Sequence, residues 1–247
     1  MQRDQADFDI LGETPDLVAV EKPAGLLVHP SKPGGPRTLW DGLRELLAFE
    51  IANAGQVSLI NRLDRETSGI VLVAKHPAAA RAAAMAMQHG LIHKTYLALV
   101  HGHPEWETRR TDAPILRQGE AAPTNIYLKR MVHPLGAAAT TLFRVLKRTN
   151  GATGPLSLLE AHPLTGRTHQ IRVHAAHLGH PILGDKIYGP SEECYLEFIR
   201  TGWTPALASR LFLDRHALHS SGLSLDWEGR RLSWESPLPA EIAAFLD

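Results

Sequence analysis

Residues 61–72 read NRLDRETSGIVL. Asp64 stands between Arg62 and Arg65, ahead of a Thr67-Ser68-Gly69 turn signal and an apolar run from Ile70 to Ala74. Cationic neighbours favour the charged form of a carboxyl group. An ionised carboxylate suits a nucleophile or a base better than an acid. The plainer alternative is a turn aspartate paired with an arginine. Asp64 and Glu66 together would serve glycoside hydrolysis only if held ~5–9 Å apart across a sugar. Two positions apart on a turn do not secure that. Ser68 lacks the G-x-S-x-G setting of a hydrolase nucleophile.

A second stretch, LTGRTHQIRVHAAHLGHPILGD, covers residues 164–185. Arg167, His169 and Arg172 crowd the start of an expected helix. Cations at a helix N-terminus oppose its dipole. The conflict eases where an anion is bound, and Arg167 and His169 can both donate to a phosphate. His169, His174, His177 and His180 invite a metal reading. They lack H-E-x-x-H spacing and have no carboxylate nearby before Asp185, so packing histidines are the expected outcome. Lys94 and Tyr96 alternate on an expected strand, where the ring can stack on a base and the ammonium can meet a phosphate.

The elements that must hold these groups follow from pattern. Leu17–Val20 reads as a strand, Lys22–Gly25 as a turn, and Leu26–Val28 as strand again. SKPGGPRT, residues 31–38, reads as a loop. Thr38 is the expected cap of a helix over 39–49, with Trp40, Leu43, Leu46 and Leu47 on one stripe. Residues 69–74 read as a buried strand. Pro77 opens a helix that stops near Gly90. Strands are expected over 94–100, 138–145 and 156–161, with loop and edge strand over 103–124. Thr168 is the expected cap of a helix running to about Leu178, with Ile171, Ala175 and Leu178 as its stripe and Gly179 as its stop. The irregular alternation implies α+β with a mixed, mostly antiparallel sheet.

Composition narrows the class. The 247 residues suffice for one large domain or two intimately packed subdomains. No apolar run approaches the ~20 residues of a membrane span. The polar start, MQRDQADFDILGE, is unlike a secretory signal. Cys194 is the sole cysteine, so no internal disulfide is possible, and a reducing cytoplasm is the expected compartment. Net charge is zero, yet residues 61–190 carry 16 Lys and Arg against 8 Asp and Glu, and the remainder 10 against 18. A neutral protein can thus present one basic face to a nucleic acid.

Taken together, the stretches resemble the RluA family of pseudouridine synthases. That family's His-Arg-Leu-Asp-x-x-Thr-Ser-Gly motif is similar to residues 61–69, its opening strand pair to VEKPAGLLVHPS (20–31), and its Lys-x-Tyr strand to HKTYLALVHG (93–102). Its last active-site block is similar to GRTHQIRVH (166–174) and GHPILGDKIYG (179–189), and its closing strand more loosely to LHSSGLSL (218–225). The order holds from about residue 10 to 240.

The resemblance implies a pseudouridine-synthase fold with a central cleft. It also implies an enzyme that isomerises uridine in ribosomal or transfer RNA: the base flips out, C1′–N1 breaks, the uracil turns, and C1′–C5 forms. Asp64 matches the essential aspartate, acting either by covalent attack or by removing a sugar proton. Tyr96 matches the tyrosine that packs on the uracil near C5. Arg172 matches the basic partner of the aspartate. Arg62 matches the arginine that holds the flipped nucleotide's place, and Ile182 or Leu183 the aliphatic residue of the base pocket. Thr67, Lys94, Arg167 and His169 are the further RNA-contact candidates. Neither cofactor nor metal is expected, since the reaction is redox-neutral, and a monomer suffices.

Two departures matter. Asn61 replaces the usual histidine and cannot carry a proton as histidine can. The resemblance also begins too early to leave room for the N-terminal S4-type RNA-binding domain of some members. A non-catalytic RNA-binding relative is the alternative that Asn61 would favour.

Overall fold

The computed structural model describes residues 7–30, 34–151 and 153–246. The loop expected over 31–38 therefore lies partly outside the described residues. The chain divides into two compact units, residues 1–94 with 220–237 and residues 95–219 with 238–247.

The first unit opens with β1 (Asp9–Glu13) and β2 (Leu17–Lys22), an antiparallel pair. Helices α1 (Leu39–Leu46) and α2 (Ala48–Ala52) follow, then β3 (Ser58–Leu59), β4 (Ser68–Ala74) and α3 (Pro77–Gln88). β2 pairs antiparallel with β4, Leu17 opposite Ala74 and Lys22 opposite Gly69. Every residue of β4 is buried, so its unbroken apolar run is that of a strand covered on both faces. Thr38 caps α1 as expected, within a capping box completed by Asp41. The buried stripe is Leu39, Leu43 and Leu47, whereas Leu46 is exposed. Residues 26–28 are not a strand. The carbonyls of Leu27 and Val28 accept the Leu39 and Trp40 N–H groups, which have no partner within their own helix.

The second unit begins within β5 (Ile92–His101) and continues through β6 (Thr108–Asp112), β7 (Ile115–Arg117), β8 (Arg130–Val132), β9 (Thr140–Gly151) and β10 (Gly154–Pro163). Helices α4 (Gln170–His177), α5 (Glu193–Thr201) and α6 (Pro205–Leu211) follow. The order β5-β10-β9-β6 is antiparallel throughout, and β7 with β8 forms a separate antiparallel pair. β9 and β10 make one long hairpin, so β9 runs further than the sequence pattern implied. The chain returns to the first unit through β11 (Leu218–Trp227) and its antiparallel partner β12 (Arg230–Glu235), and the short α7 (Ala240–Ala243) again belongs to the second unit. This is an α+β fold with a mostly antiparallel sheet. Among the described residues, no helix is long and apolar enough to cross a membrane.

Candidate active site

In the first unit Asp64 begins a tight turn, its carbonyl accepting the Thr67 N–H at 3.1 Å. Three ties hold this turn from below. The Gly25 N–H donates to the Arg65 carbonyl at 2.8 Å, and Arg65 Nε returns a bond to the Gly25 carbonyl at 3.0 Å. Lys22, fully buried, places its ammonium on the carbonyls of Pro23, Leu26 and Arg65 at 2.8, 3.0 and 3.1 Å. A buried lysine is costly unless its donors are matched, and here three carbonyls match them. The Lys22–Leu26 turn and the Asp64–Thr67 turn are thus one clamped object. Arg65 is engaged by Gly25, so its sequence adjacency to Asp64 reflects this clamp. Arg62 is exposed, and Thr67 is buried.

Asn61 explains its own departure from the family pattern. Its Nδ2 donates to the Ile70 carbonyl at 3.0 Å, and its Oδ1 accepts the Leu72 N–H at 2.8 Å. The amide imitates a neighbouring strand and fixes where the Asp64 loop leaves β4. Gly69 follows at φ +108, and a Cβ there would lie 2.2 Å from the Ser220 carbonyl oxygen. The glycine is therefore required by β11 passing against it within β4, and not by a sharp turn.

In the second unit Tyr96 is buried on β5, opposite Ala161 of β10. Two residues earlier on the same strand Lys94, the last residue of the first unit's opening segment, is half-buried, and burial pulls its pKa below the ordinary lysine value. Ile182 and Leu183 are buried where a single bridge joins β5 and the chain then turns. Ile182 bridges Val100, the Leu183 N–H donates to the Leu99 carbonyl at 2.9 Å, and the Leu183 carbonyl accepts from Ala217 at 2.8 Å.

Arg172 lies on α4, which is buried on almost every side at Gln170–Ala175. Its Nε and Nη2 donate to Asp185 Oδ2 and Oδ1 at 2.7 and 2.9 Å. Burial opposes ionisation of Asp185. The adjacent Arg172 charge, its hydrogen bonds and the Ile187 and Tyr188 N–H groups outweigh that and hold the carboxyl well below the usual range. The guanidinium also lies 5.1 Å from the Tyr188 ring centroid. Tyr188 Oη accepts the Arg130 N–H at 2.9 Å and lies 2.8 Å from His169 Nδ1.

His169 itself starts α4 in the left-handed region at φ 59, so it, and not Thr168, is the cap position, and its side chain makes no capping bond. Arg167 is exposed, its Nε on the Ala138 carbonyl at 3.0 Å. Gln170 uses its whole amide, donating to the Thr140 carbonyl and Thr141 Oγ1 and accepting from Thr165 Oγ1 and the Arg167 N–H.

Of the remaining histidines of this stretch His174 is buried, His180 half-buried and His177 exposed. His174 sits between Thr141 Oγ1 and the Ala113 carbonyl at 2.8 and 2.9 Å, and His180 Nδ1 meets the His101 carbonyl at 3.0 Å. Among the described residues, no group of three or more His, Cys, Asp or Glu could hold a metal ion. Sequence reasoning missed Lys22, Asp185 and Tyr188 as partners. Asp185 and Tyr188 lie inside GHPILGDKIYG, where a carboxylate 13 residues past Arg172 was the available signal.

Residues 16–177 match the RNA pseudouridylate synthase family. The chain belongs to that family, which is the resemblance seen in the sequence. It is 39% identical over 230 residues to an uncharacterized RNA pseudouridine synthase of Chloroflexus aurantiacus, covering 91% of this chain and 64% of that protein. It is 37% identical over 249 residues to ribosomal large subunit pseudouridine synthase D of Nitrosomonas europaea, covering 99% and 66%. The chain thus spans about two thirds of the length of these relatives. Among solved structures, human RNA pseudouridylate synthase domain containing 4 superposes with TM-score 0.73 at 25% identity, over 96% of this chain and 91% of that one.

Proposed function

We propose that this protein isomerises uridine to pseudouridine within RNA. Family membership carries the reading, since the matched residues include both the clamped Asp64 turn and Arg172. Asp64 is the reacting carboxylate, by attack or by proton removal. Tyr96 packs on the uracil near C5, and Arg172 is the charged partner that the aspartate requires. The base must leave its stack first, at a cost of a few kcal/mol. Arg62, Thr67, Lys94, Arg167 and His169 contact the RNA, and Ile182 or Leu183 lines the base pocket. The C1′–N1 bond breaks, C1′–C5 forms, C5 loses its proton and N1 gains one. The reaction is redox-neutral and calls for no cofactor.

The names of several relatives make large-subunit ribosomal RNA the first substrate to try, ahead of transfer RNA. The setting is cytoplasmic and the acting form a monomer. The test is tritium release from unmodified ribosomal and transfer RNA transcripts carrying [5-³H]uridine. Wild type should release tritium and Asp64→Asn should not, with RNA affinity kept within a few fold. No release from any transcript would overturn the reading. Loss of both turnover and affinity in Asp64→Asn would make Asp64 structural.

A further inference from the structure

The second unit contains a groove of about 540 Å³ that the reaction chemistry does not use. Its lining includes Arg117, Glu120, Tyr127, Arg130, Arg167 and Thr168. It lies where β7, β8 and the segment leading into α4 come together. Arg117 is committed locally, with Nε on Glu120 at 3.0 Å and its guanidinium 4.7 Å from the Tyr127 ring centroid. Tyr127 is 74% exposed, an unusual position for an aromatic ring in a polar loop. Arg117 and Tyr127 thus form a stacked, flat, cation-backed surface open to solvent.

The other two arginines are differently placed. Arg167 spends Nε on the Ala138 carbonyl, which orients its outer edge. Arg130 Nη1 is shut off from solvent and has no hydrogen-bond partner among the described residues. A desolvated guanidinium nitrogen without an acceptor is costly. A small rotation of the terminal group onto a bound anion would relieve that cost. The Arg130 main chain is held by Tyr188, whose ring also carries Arg172. The groove therefore borders the part of this unit that holds Arg172.

We infer that this groove is a subsite for one unpaired nucleotide flanking the target uridine, its phosphodiester between Arg130 and Arg167 and its base on the Tyr127–Arg117 surface. Two cations beside a neutralised Arg117–Glu120 pair fit a phosphodiester, and an exposed ring backed by a guanidinium fits a nucleobase of any identity. A duplex would keep its bases from that surface, so the occupant is single-stranded. The inference rests on RNA being the substrate.

The test uses the full chain and a fluorescein-labelled 12-nucleotide oligouridylate, with an RNA duplex of equal length as comparison. Tyr127→Ala should weaken oligouridylate binding about tenfold or more without changing its salt dependence, and Tyr127→Phe should restore it. Arg167→Ala, and Arg130→Ala where it folds, should lower the slope of log K against log salt by about 0.7, the share of one single-strand phosphate. Duplex binding should be unaffected by Tyr127→Ala. Wild-type affinity in both Tyr127→Ala and Arg167→Ala would overturn the subsite, as would equal losses on the duplex. Tritium release separates the two readings. Release with unchanged binding in the variants removes the subsite alone. Absent release with the expected binding losses removes the proposed activity alone.

Discussion

Arg172 and Asp185 form a buried, two-bond ion pair, with both side chains at or below 5% exposure. The pair is not the end of the chain of contacts. Asp185 also gathers the Ile187 and Tyr188 N–H groups, and Tyr188 turns back to lie beside the Arg172 guanidinium. The segment after Ile182 is therefore folded around the same arginine that the family pattern assigns to the reaction.

Asp185→Asn should cost about 3–5 kcal/mol, because it leaves the Arg172 charge buried and half-matched. Urea unfolding followed by far-UV circular dichroism measures this. A loss under 1 kcal/mol would show that the pair does not organise the segment.

Lys22→Met keeps the length of the side chain and removes the ammonium. The Pro23 and Leu26 carbonyls lose the ammonium and that of Arg65 keeps only the Gly25 N–H, and a buried unmet group costs about 1–3 kcal/mol. Since Arg65 is one of them, turnover in the tritium assay should fall more than RNA affinity does. An active enzyme of normal stability would mean that Gly25 alone secures the Asp64 turn.

Asn61→Leu should destabilise by about 1–3 kcal/mol by orphaning the Leu72 N–H and leaving the Ile70 carbonyl with only the longer bond from Ser220 Oγ. Asn61→His should be active near pH 8, where a neutral ring can donate and accept. It should weaken below its pKa, where both ring nitrogens donate and the Leu72 N–H loses its acceptor. A flat pH profile for Asn61→His, matching wild type, would contradict this account.

Gly69→Ala combines a positive φ with a Cβ placed 2.2 Å from the Ser220 carbonyl oxygen. It should cost several kcal/mol and a Tm loss of about 2–4 °C for each. Gly25→Ala, also at positive φ but with nothing within 4 Å, should cost less. Thermal melts of the two variants give the comparison directly.

Burial pushes the imidazoles of His174 and His101 below their ordinary 6.5. The unfolded chain then takes up protons first as pH falls. Their contribution to stability is complete above about pH 6.5 and is lost as pH drops through the folded values. Wild-type Tm should fall between pH 7.5 and 5.5. His174→Gln, which cannot titrate, should show a shallower fall.

Much of this was legible in the sequence for a physical reason. The Asp64 turn, the Tyr96 strand and the Arg172 helix are local objects, set by glycine placement, apolar runs and helix stops within a dozen residues. Local cues failed where a distant partner decides. Leu26–Val28 has strand chemistry, but its carbonyls are taken by the start of α1. Thr168 is a good capping residue, yet α4 begins one residue later, and the Gln170 N–H that a Thr168 cap would take donates to the Arg167 carbonyl at 3.1 Å instead. Lys22 reads as a surface charge beside a turn. Only the fold brings the Arg65 carbonyl, 43 residues away, within its reach.

The first unit is built from two pieces of chain that are far apart in order of synthesis. Gly69 and Ile70 of β4 meet Ser220 of β11, with Ser220 Oγ reaching the Ile70 carbonyl across 150 residues. A ribosome that has just released residues 1–94 has delivered the whole Asp64 turn but not the strand that covers its flank. Until β11 emerges, the Gly69 end of β4 lacks its cover while β3 and the Asn61 amide already hold the rest of that edge, and an uncovered strand end is the kind of surface that recruits chaperones or mispairs. The flank of the Asp64 turn is therefore completed only once β11, some 150 residues later, has been made.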